Sequence, residues 1–258
     1  MFVTTSYHPA STELKLAKHM AARLGCPYVE RRQSSLPRLL RIHGLQDILV
    51  VTTKGPRFFP QGADEPFFFH PSTAQIRLKR LLRGEADALL ETAEIRPGEA
   101  ILDCTAGLAS ESILLAYAAG PQGSVTAVES EPLVALLVEH GLAEYCSGVA
   151  EMDEAMRRIT LACEDHLDYL GKLADNSMDI VYFDPMFRQT IEETSALAPL
   201  KTIANYGALR KEAVAEARRV ARRRVILKEN RDGDEFARLG FSRIYRPNTK
   251  IAYGVIDV

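Results

Sequence analysis

The sequence lacks most of the features that would assign 258 residues to a membrane, an oxidising compartment or a metal site. No apolar run approaches the roughly 20 residues that cross a bilayer, which argues against a membrane protein. The 4 cysteines, Cys26, Cys104, Cys146 and Cys163, include no Cys-x-x-Cys pair, which argues against a zinc site or disulfide framework and for a reducing compartment. His8, His19, His43, His140 and His166 are dispersed, with no pair at metal-ligand spacing, so no metal is expected. Neither the G-x-G-x-x-G dinucleotide fingerprint nor a P-loop is present, and Ser6, Ser110 and Ser112 lack the Gly-x-Ser-x-Gly setting of a hydrolase nucleophile. The first residues show no basic segment followed by an apolar stretch and a small-residue cleavage site, so a cytoplasmic protein is expected. There is no internal repeat or low-complexity tract.

What is present gathers at the carboxyl ends of short apolar runs. Ile180-Val181-Tyr182-Phe183 closes on Asp184-Pro185-Met186-Phe187. An acidic residue, a proline and an aromatic at a strand end can hold a planar amine. The Asp184 carboxylate and the Pro185 carbonyl would accept its protons, and Phe187 would stack beneath. Such an amine is a poor nucleophile because its lone pair is delocalised, so localising acceptors and alignment must supply most of the help. The plainer alternative for the tetrapeptide alone is an ordinary turn with Phe187 as a core plug.

Glu99 to Gly107 reads Glu-Ala-Ile-Leu-Asp-Cys-Thr-Ala-Gly, a strand ending at Asp103 and a loop of small residues before a helix over Ser110 to Ala119. Gly107 lets the backbone approach a ligand closely where strand gives way to helix. The next strand, Ser124 to Val128, ends at Glu129, placed to take both hydroxyls of a ribose. Asp103 and Glu129 at the ends of adjacent strands suit an adenosyl ligand. Ile159 to Ala162 is followed by Cys163-Glu164-Asp165, placed to receive an adenine amino group. Arg224 to Leu227 reads as a fifth strand after a helix over Leu209 to Ala221, and Phe241 to Tyr245 with Ile251 to Ile256 forms a hairpin across a Pro-Asn-Thr turn. Strands alternating with helices and closed by a hairpin predict an α/β fold, a doubly wound, mostly parallel sheet with ligands above its carboxyl edge.

This order resembles the class I S-adenosylmethionine-dependent methyltransferases. Arg83-Gly84-Glu85-Ala86, Asp103-Cys104-Thr105-Ala106-Gly107-Leu108, Glu129-Ser130-Glu131-Pro132 and Tyr182-Phe183-Asp184-Pro185-Met186-Phe187 follow one another with spacings similar to the RsmJ family, which methylates guanine N2 in small-subunit ribosomal RNA. The resemblance runs from Phe67 to Asp232. It implies S-adenosylmethionine as cofactor, contacted by Ser110, Glu111, Glu129, Ser130, Glu164, Asp165 and Asp184, and ribosomal RNA as partner. Ser110-Glu111 stands where that family has Arg-Asp, Glu164-Asp165 where it has two serines, and Arg188 replaces a proline after the motif. The same strand-end chemistry would serve an adenine N6 or a protein glutamine, and a non-catalytic RNA-binding assembly protein is a further alternative.

Charge is lacking in bulk but not in distribution. The net charge is -2, yet the segment to Arg96 holds 14 basic and 9 acidic residues and the remainder 18 and 25. Arg31, Arg32, Arg38 and Arg41, and Arg77, Lys79, Arg80 and Arg83, are therefore candidates for a phosphate-neutralising surface, with solvated helix faces as the plainer reading. Arg218, Arg219 and Arg222 to Arg224 are a further basic cluster of the same kind, with a helix carboxyl cap as the plainer reading. Lys228, at the end of the fifth strand, is a candidate phosphate or substrate contact, with a surface salt bridge as the alternative.

Residues 1–66 read as a small α/β subdomain and residues 67–258 as the larger domain. Phe2 to Thr5 and Asp47 to Thr52 are expected strands, and Ser11 to Leu24 is an expected helix capped by Ser11 or Thr12. Gly55 to Pro66 is expected as a loop, Phe67 to Phe69 as a strand burying alternate aromatics in preference to a base-stacking face, and Ser72 as the cap of the helix that carries Arg77, with a His70 contact to RNA or cofactor as the alternative.

Overall fold

The computed structural model describes residues 1–63, 65–185, 207–245 and 250–258. The described residues divide into two compact units, Met1–Phe69 on one side and residues 70–185, 207–245 and 250–258 on the other. That division falls three residues beyond the expected boundary at 66, because Phe67 pairs with Phe58 of the first unit.

The first unit runs β1 (Phe2–Thr5), α1 (Ser11–Arg23), α2 (Leu36–His43), β2 (Ile48–Thr52) and β3 (Gly55–Phe59). Strands β1 and β2 are parallel, and β3 pairs antiparallel with β2 at the edge. Helix α1 packs on β1 and β2, while Phe2, Ile48 and Val50 bury against Leu39 of α2. Two local expectations are corrected. Gly55 to Phe59 is a strand rather than a loop: its alternate residues Pro56 and Phe58 are buried, and a proline is tolerated in a strand at the end of a sheet. The cap of α1 is Ala10, whose N–H donates to the Glu13 carboxylate at 3.0 Å, so Glu13 closes the first turn in place of Ser11 or Thr12. Phe67 and Phe69 are buried and Phe68 only partly so, with the Arg57 guanidinium 4.5 Å from its ring centroid.

The second unit runs α3 (Ser72–Leu81), α4 (Ala88–Ala93), β4 (Ala100–Asp103), α5 (Ser110–Ala119), β5 (Ser124–Glu129), α6 (Pro132–Glu144), α7 (Ala150–Arg157), β6 (Ile159–Cys163), α8 (His166–Lys172), β7 (Met178–Phe183), α9 (Lys211–Val220), β8 (Ala221–Asn230), α10 (Glu235–Leu239), β9 (Arg243–Tyr245) and β10 (Ile251–Asp257). Its strands form one sheet in the order β6-β5-β4-β7-β8-β10-β9, parallel through β8 and antiparallel beyond. The expected hairpin is present, but β10 inserts between β8 and β9. Pairing with β10 along Arg224 to Asn230 lengthens β8 well past the expected Leu227. Ser72 is the first residue of α3 and not its cap; its Oγ lies 3.2 Å from His70 Nδ1.

Ile180 to Phe183 is fully buried because a central parallel strand is covered on both faces. Val181 and Phe183 pack with Leu102, Leu227 and the α9 residues Ala213, Val214 and Ala217. By the alternation of a strand, Asp103, Tyr182 and Lys228 point to the opposite face, so that face carries a polar row across β4, β7 and β8. Arginines expected as a local helix cap instead tie distant elements together. Arg224 Nη1 donates to the carbonyls of Thr92 and Ala93 at 3.1 and 3.2 Å, closing the carboxyl end of α4, and Arg219 donates to Leu170 and Leu173 at 3.0 and 2.8 Å. Among the described residues no helix is long and apolar enough to cross a membrane.

Candidate functional site

Strand order reverses between β4 and β7, the first strand of the sheet region and the first after the crossover, and ligands of such sheets bind in the crevice outside the carboxyl ends at that point. The two loops leaving these strands are tied to each other. Cys104 N donates to the Tyr182 carbonyl at 2.9 Å, and Asp184 N donates to Thr105 Oγ1 at 2.5 Å.

The β4 loop is built around Asp103, which is buried. Its carboxylate accepts from Thr105 N at 3.1 Å and from Ser112 Oγ at 2.5 Å, fixing the loop to the first turn of α5. Gly107 N donates to Glu129 Oε2 at 3.0 Å, and Glu131 N donates to Glu129 Oε1 at 2.9 Å. Gly107 has φ +49°, the left-handed region, and a Cβ added there would meet nothing within 4 Å, so open space lies beside the loop. Buried Ala109 is also left-handed, at φ 58°, a conformation costing an L-residue about 1 kcal/mol or more, held by hydrogen bonds to Ala106 and Ile113. Both Glu129 oxygens accept backbone amides, which orients the side chain beside the Gly107 loop.

Burial pushes the Asp103 carboxyl up to about 7, against the hydrogen bonds from Ser112 and Thr105. Its ordinary value is 3.8, so the stabilisation it provides is complete below that pH and is lost as pH rises through about 7. Asp103→Asn, which cannot ionise, should therefore gain stability relative to wild type between pH 4 and 7.5, by on the order of 4 kcal/mol. Paired urea titrations of the cofactor-free proteins at several pH values check this; a constant difference across the range would exclude it.

The largest feature is a chain of buried ion pairs running from α3 to β8. Arg77 grips Asp87 with Nε and Nη2 at 2.8 and 2.9 Å, and its Nη1 meets Glu111 Oε1 at 2.9 Å. Glu111 Oε1 also accepts from Lys228 Nζ at 3.0 Å, and Lys228 Nζ donates to Asp184 Oδ2 at 2.6 Å. Asp87 additionally caps α4 through Leu89 N and Leu90 N. Although burial opposes it, Lys228 and Arg77 hold Glu111 down to about 2, and the first turn of α5 favours the same charge. Asp184 is pushed up to about 6, by burial first and with Glu111 adding to it, while Lys228 pulls the other way. Tyr253, paired with Lys228 across β10, is pushed up to about 12 mainly by burial. The Tyr182 hydroxyl is buried with no partner among the described residues.

Asp103, Gly107, Ser110, Glu111, Glu129, Ser130 and Asp184 thus gather on the loops and strand ends at this edge. Glu164 and Asp165 follow β6 beside them: Asp165 caps α8 and meets Arg210 at 2.7 Å, and Glu164 pairs with Lys172, its N–H donating to the Glu129 carbonyl at 3.0 Å. Phe187, with Met186 and Arg188, lies outside the described residues. Two of the expected contacts have protein partners. Arg77, expected to face RNA, has its guanidinium paired with Asp87 and Glu111, and Lys228, expected as a phosphate or substrate contact or a surface salt bridge, pairs with Glu111 and Asp184 with its side chain mostly covered. Of their former neighbours, Lys79 and Arg83 are exposed and Arg80 pairs with Glu85 at the surface. The sequence reading did not find Asp87, Thr105, Ser112 or Tyr253, whose roles come only from pairings across the fold.

A mostly parallel sheet with acidic side chains ending its adjacent central strands defines a Rossmann-like methyltransferase. A family model for SAM-dependent methyltransferases, enzymes using S-adenosylmethionine, matches residues 68–240, and the chain belongs to that family. It is 39% identical to the Bacillus subtilis protein YpiP, over 99% of this chain and 98% of that one. It is 30% identical to ribosomal RNA small subunit methyltransferase J of Pseudomonas paraeruginosa, over 66% of this chain and 62% of that enzyme. Among solved structures, the SAM-dependent methyltransferase NGO1261 of Neisseria gonorrhoeae shares the fold, with a TM-score of 0.67 at 18% identity over 99% of this chain and 95% of that one. The cofactor is S-adenosylmethionine, and the open loop at Gly107 beside oriented Glu129 suits an adenosyl group.

Proposed function

We propose that the chain methylates an exocyclic base amine of RNA in the cytoplasm, with small-subunit ribosomal RNA supported by relatives named as ribosomal RNA small subunit methyltransferases and guanine N2 the target that the strand-end motif implies. The observation that carries this reading is Asp184, held at the end of β7 by Thr105 and Lys228 in a methyltransferase fold. Lys228 occupies Oδ2, and no donor among the described residues meets Oδ1, the oxygen we assign to an amine proton. The Pro185 carbonyl takes the second proton and Phe187 stacks on the base after it leaves its stack. Glu129 holds the ribose hydroxyls, Glu164 or Asp165 the adenine amino group, and Ser110, Glu111 and Ser130 border the rest of the cofactor. S-adenosylmethionine supplies a methyl already activated on a positively charged sulfur. The chain's residues therefore align and polarise the amine, whose proton leaves once nitrogen carries positive charge.

Methyl transfer from labelled cofactor to naked RNA, free small subunits and intact ribosomes, measured in parallel and followed by nucleoside mass spectrometry, tests the reading. N2-methylguanosine in subunit RNA is the expected product. Methylated adenine or labelled protein would redirect the target, and no cofactor binding by calorimetry would remove the enzyme.

Two further outcomes are expected. Glu129→Ala should weaken cofactor binding by about 1.5 to 3 kcal/mol, because charge-assisted bonds to both ribose hydroxyls are lost. Calorimetry reads this directly, and unchanged affinity would unseat the ribose assignment. For RNA, replacing exposed Lys79 and Arg83 together, or Arg38 and Arg41 together, should lower affinity and flatten its salt dependence while sparing cofactor affinity. A wild-type salt slope in both pairs would return them to solvated faces.

A further inference from the structure

Two carboxylates and one ammonium share a largely covered space at the end of β7 and β8. Lys228 lies 2.6 Å from Asp184 Oδ2 and 3.0 Å from Glu111 Oε1, its side chain only 13% exposed. Arg77 holds the far side of the cluster at 2.9 Å from Glu111, itself clamped by Asp87 in a two-point pair. The ammonium is thus fixed from both sides, and its own charge is secured by the two carboxylates despite burial.

We propose that Lys228 is a positioning residue for methyl transfer: it keeps the Asp184 carboxylate ionised and aimed, and Glu111 and Arg77 keep Lys228 in place. This rests on Asp184 being the acceptor of the target amine. A protonated Asp184 would turn one of its oxygens from acceptor to donor and could not draw an amine proton toward itself. The groups facing Asp184 are Lys228 from β8, Glu111 from α5, Arg77 from α3, Asp103 from β4, Tyr253 from β10 and its strand neighbour Tyr182. Lys228 is the cation in contact with it among the described residues, while Glu111 and Asp103 repel its charge. Removing the ammonium leaves Asp184 buried beside two other carboxyl groups, where it takes up a proton.

The test is a carbon-13 NMR titration of aspartate carboxyl carbons in the folded, cofactor-free chain, with the Asp184 signal assigned by its loss in Asp184→Asn. Lys228→Met should raise the Asp184 midpoint by about one pH unit or more, whereas Lys228→Arg should stay near wild type. The acid limb of the methyl-transfer rate should move in parallel. A wild-type Asp184 midpoint in Lys228→Met would overturn the proposal. If Lys228→Met does not fold, Lys228→Gln, which keeps a polar side chain without the charge, decides it by the same rise of the Asp184 midpoint. The titration needs neither cofactor nor RNA, so a wild-type chain that methylates no RNA would sink the substrate reading without deciding this one.

Discussion

Asp184→Ala is expected to lower the rate of methyl transfer by about 1000-fold or more, the combined scale of losing a proton acceptor and a preorganised charge. The loss should fall on kcat, since the carboxylate acts on the amine as positive charge develops on nitrogen. Lys228 retains Glu111 at 3.0 Å in this variant, so the fold should survive, and a cooperative thermal melt is the control. Asp184→Asn keeps an acceptor oxygen without the charge and should retain part of the activity. Single-turnover transfer at saturating cofactor separates the two. An alanine variant that turns over within a few fold of wild type would mean that the amine is held elsewhere.

Arg77→Met is expected to destabilise the chain by about 3 to 5 kcal/mol, the cost of stranding buried partners of an ion pair. Two carboxylates lose their cation at once. Asp87 still accepts from Leu89 N and Leu90 N, but Glu111 keeps only Lys228, which it shares with Asp184. The effect should appear in urea unfolding without cofactor or RNA. Arg83→Met, on the exposed end of the same segment, should change stability by less than about 0.5 kcal/mol. Equal stabilities for the two variants would show that the network contributes nothing net to the fold.

The contrast between Arg77 and Arg83 shows where sequence reasoning reached its limit. Strand-end acids are legible because a buried run announces its strand and a small-residue turn announces its end; Asp103, Glu129 and Asp184 follow from that alone. Partners are not, because pairing is set by the fold. Arg77 and Glu111 are 34 positions apart, Asp184 and Lys228 44, and Glu111 and Lys228 117. The arginines at 222 to 224 look like a cap for the helix they follow, yet Arg224 closes α4, 131 and 132 positions earlier. In the first unit, Gly55 and Pro56 suggested a loop; pairing with β2 made them a strand, which composition does not reveal.

The ion-pair chain also fixes how short a working version of this enzyme can be. A fragment beginning at Ala100 would carry Asp103, Glu129, Asp184 and Lys228, and so every strand-end signature. It would lack Arg77 and Asp87, leaving a single ammonium to neutralise both Glu111 and Asp184. The border of the catalytic unit is therefore electrostatic before it is topological, and it lies at α3, ahead of the first strand of the sheet.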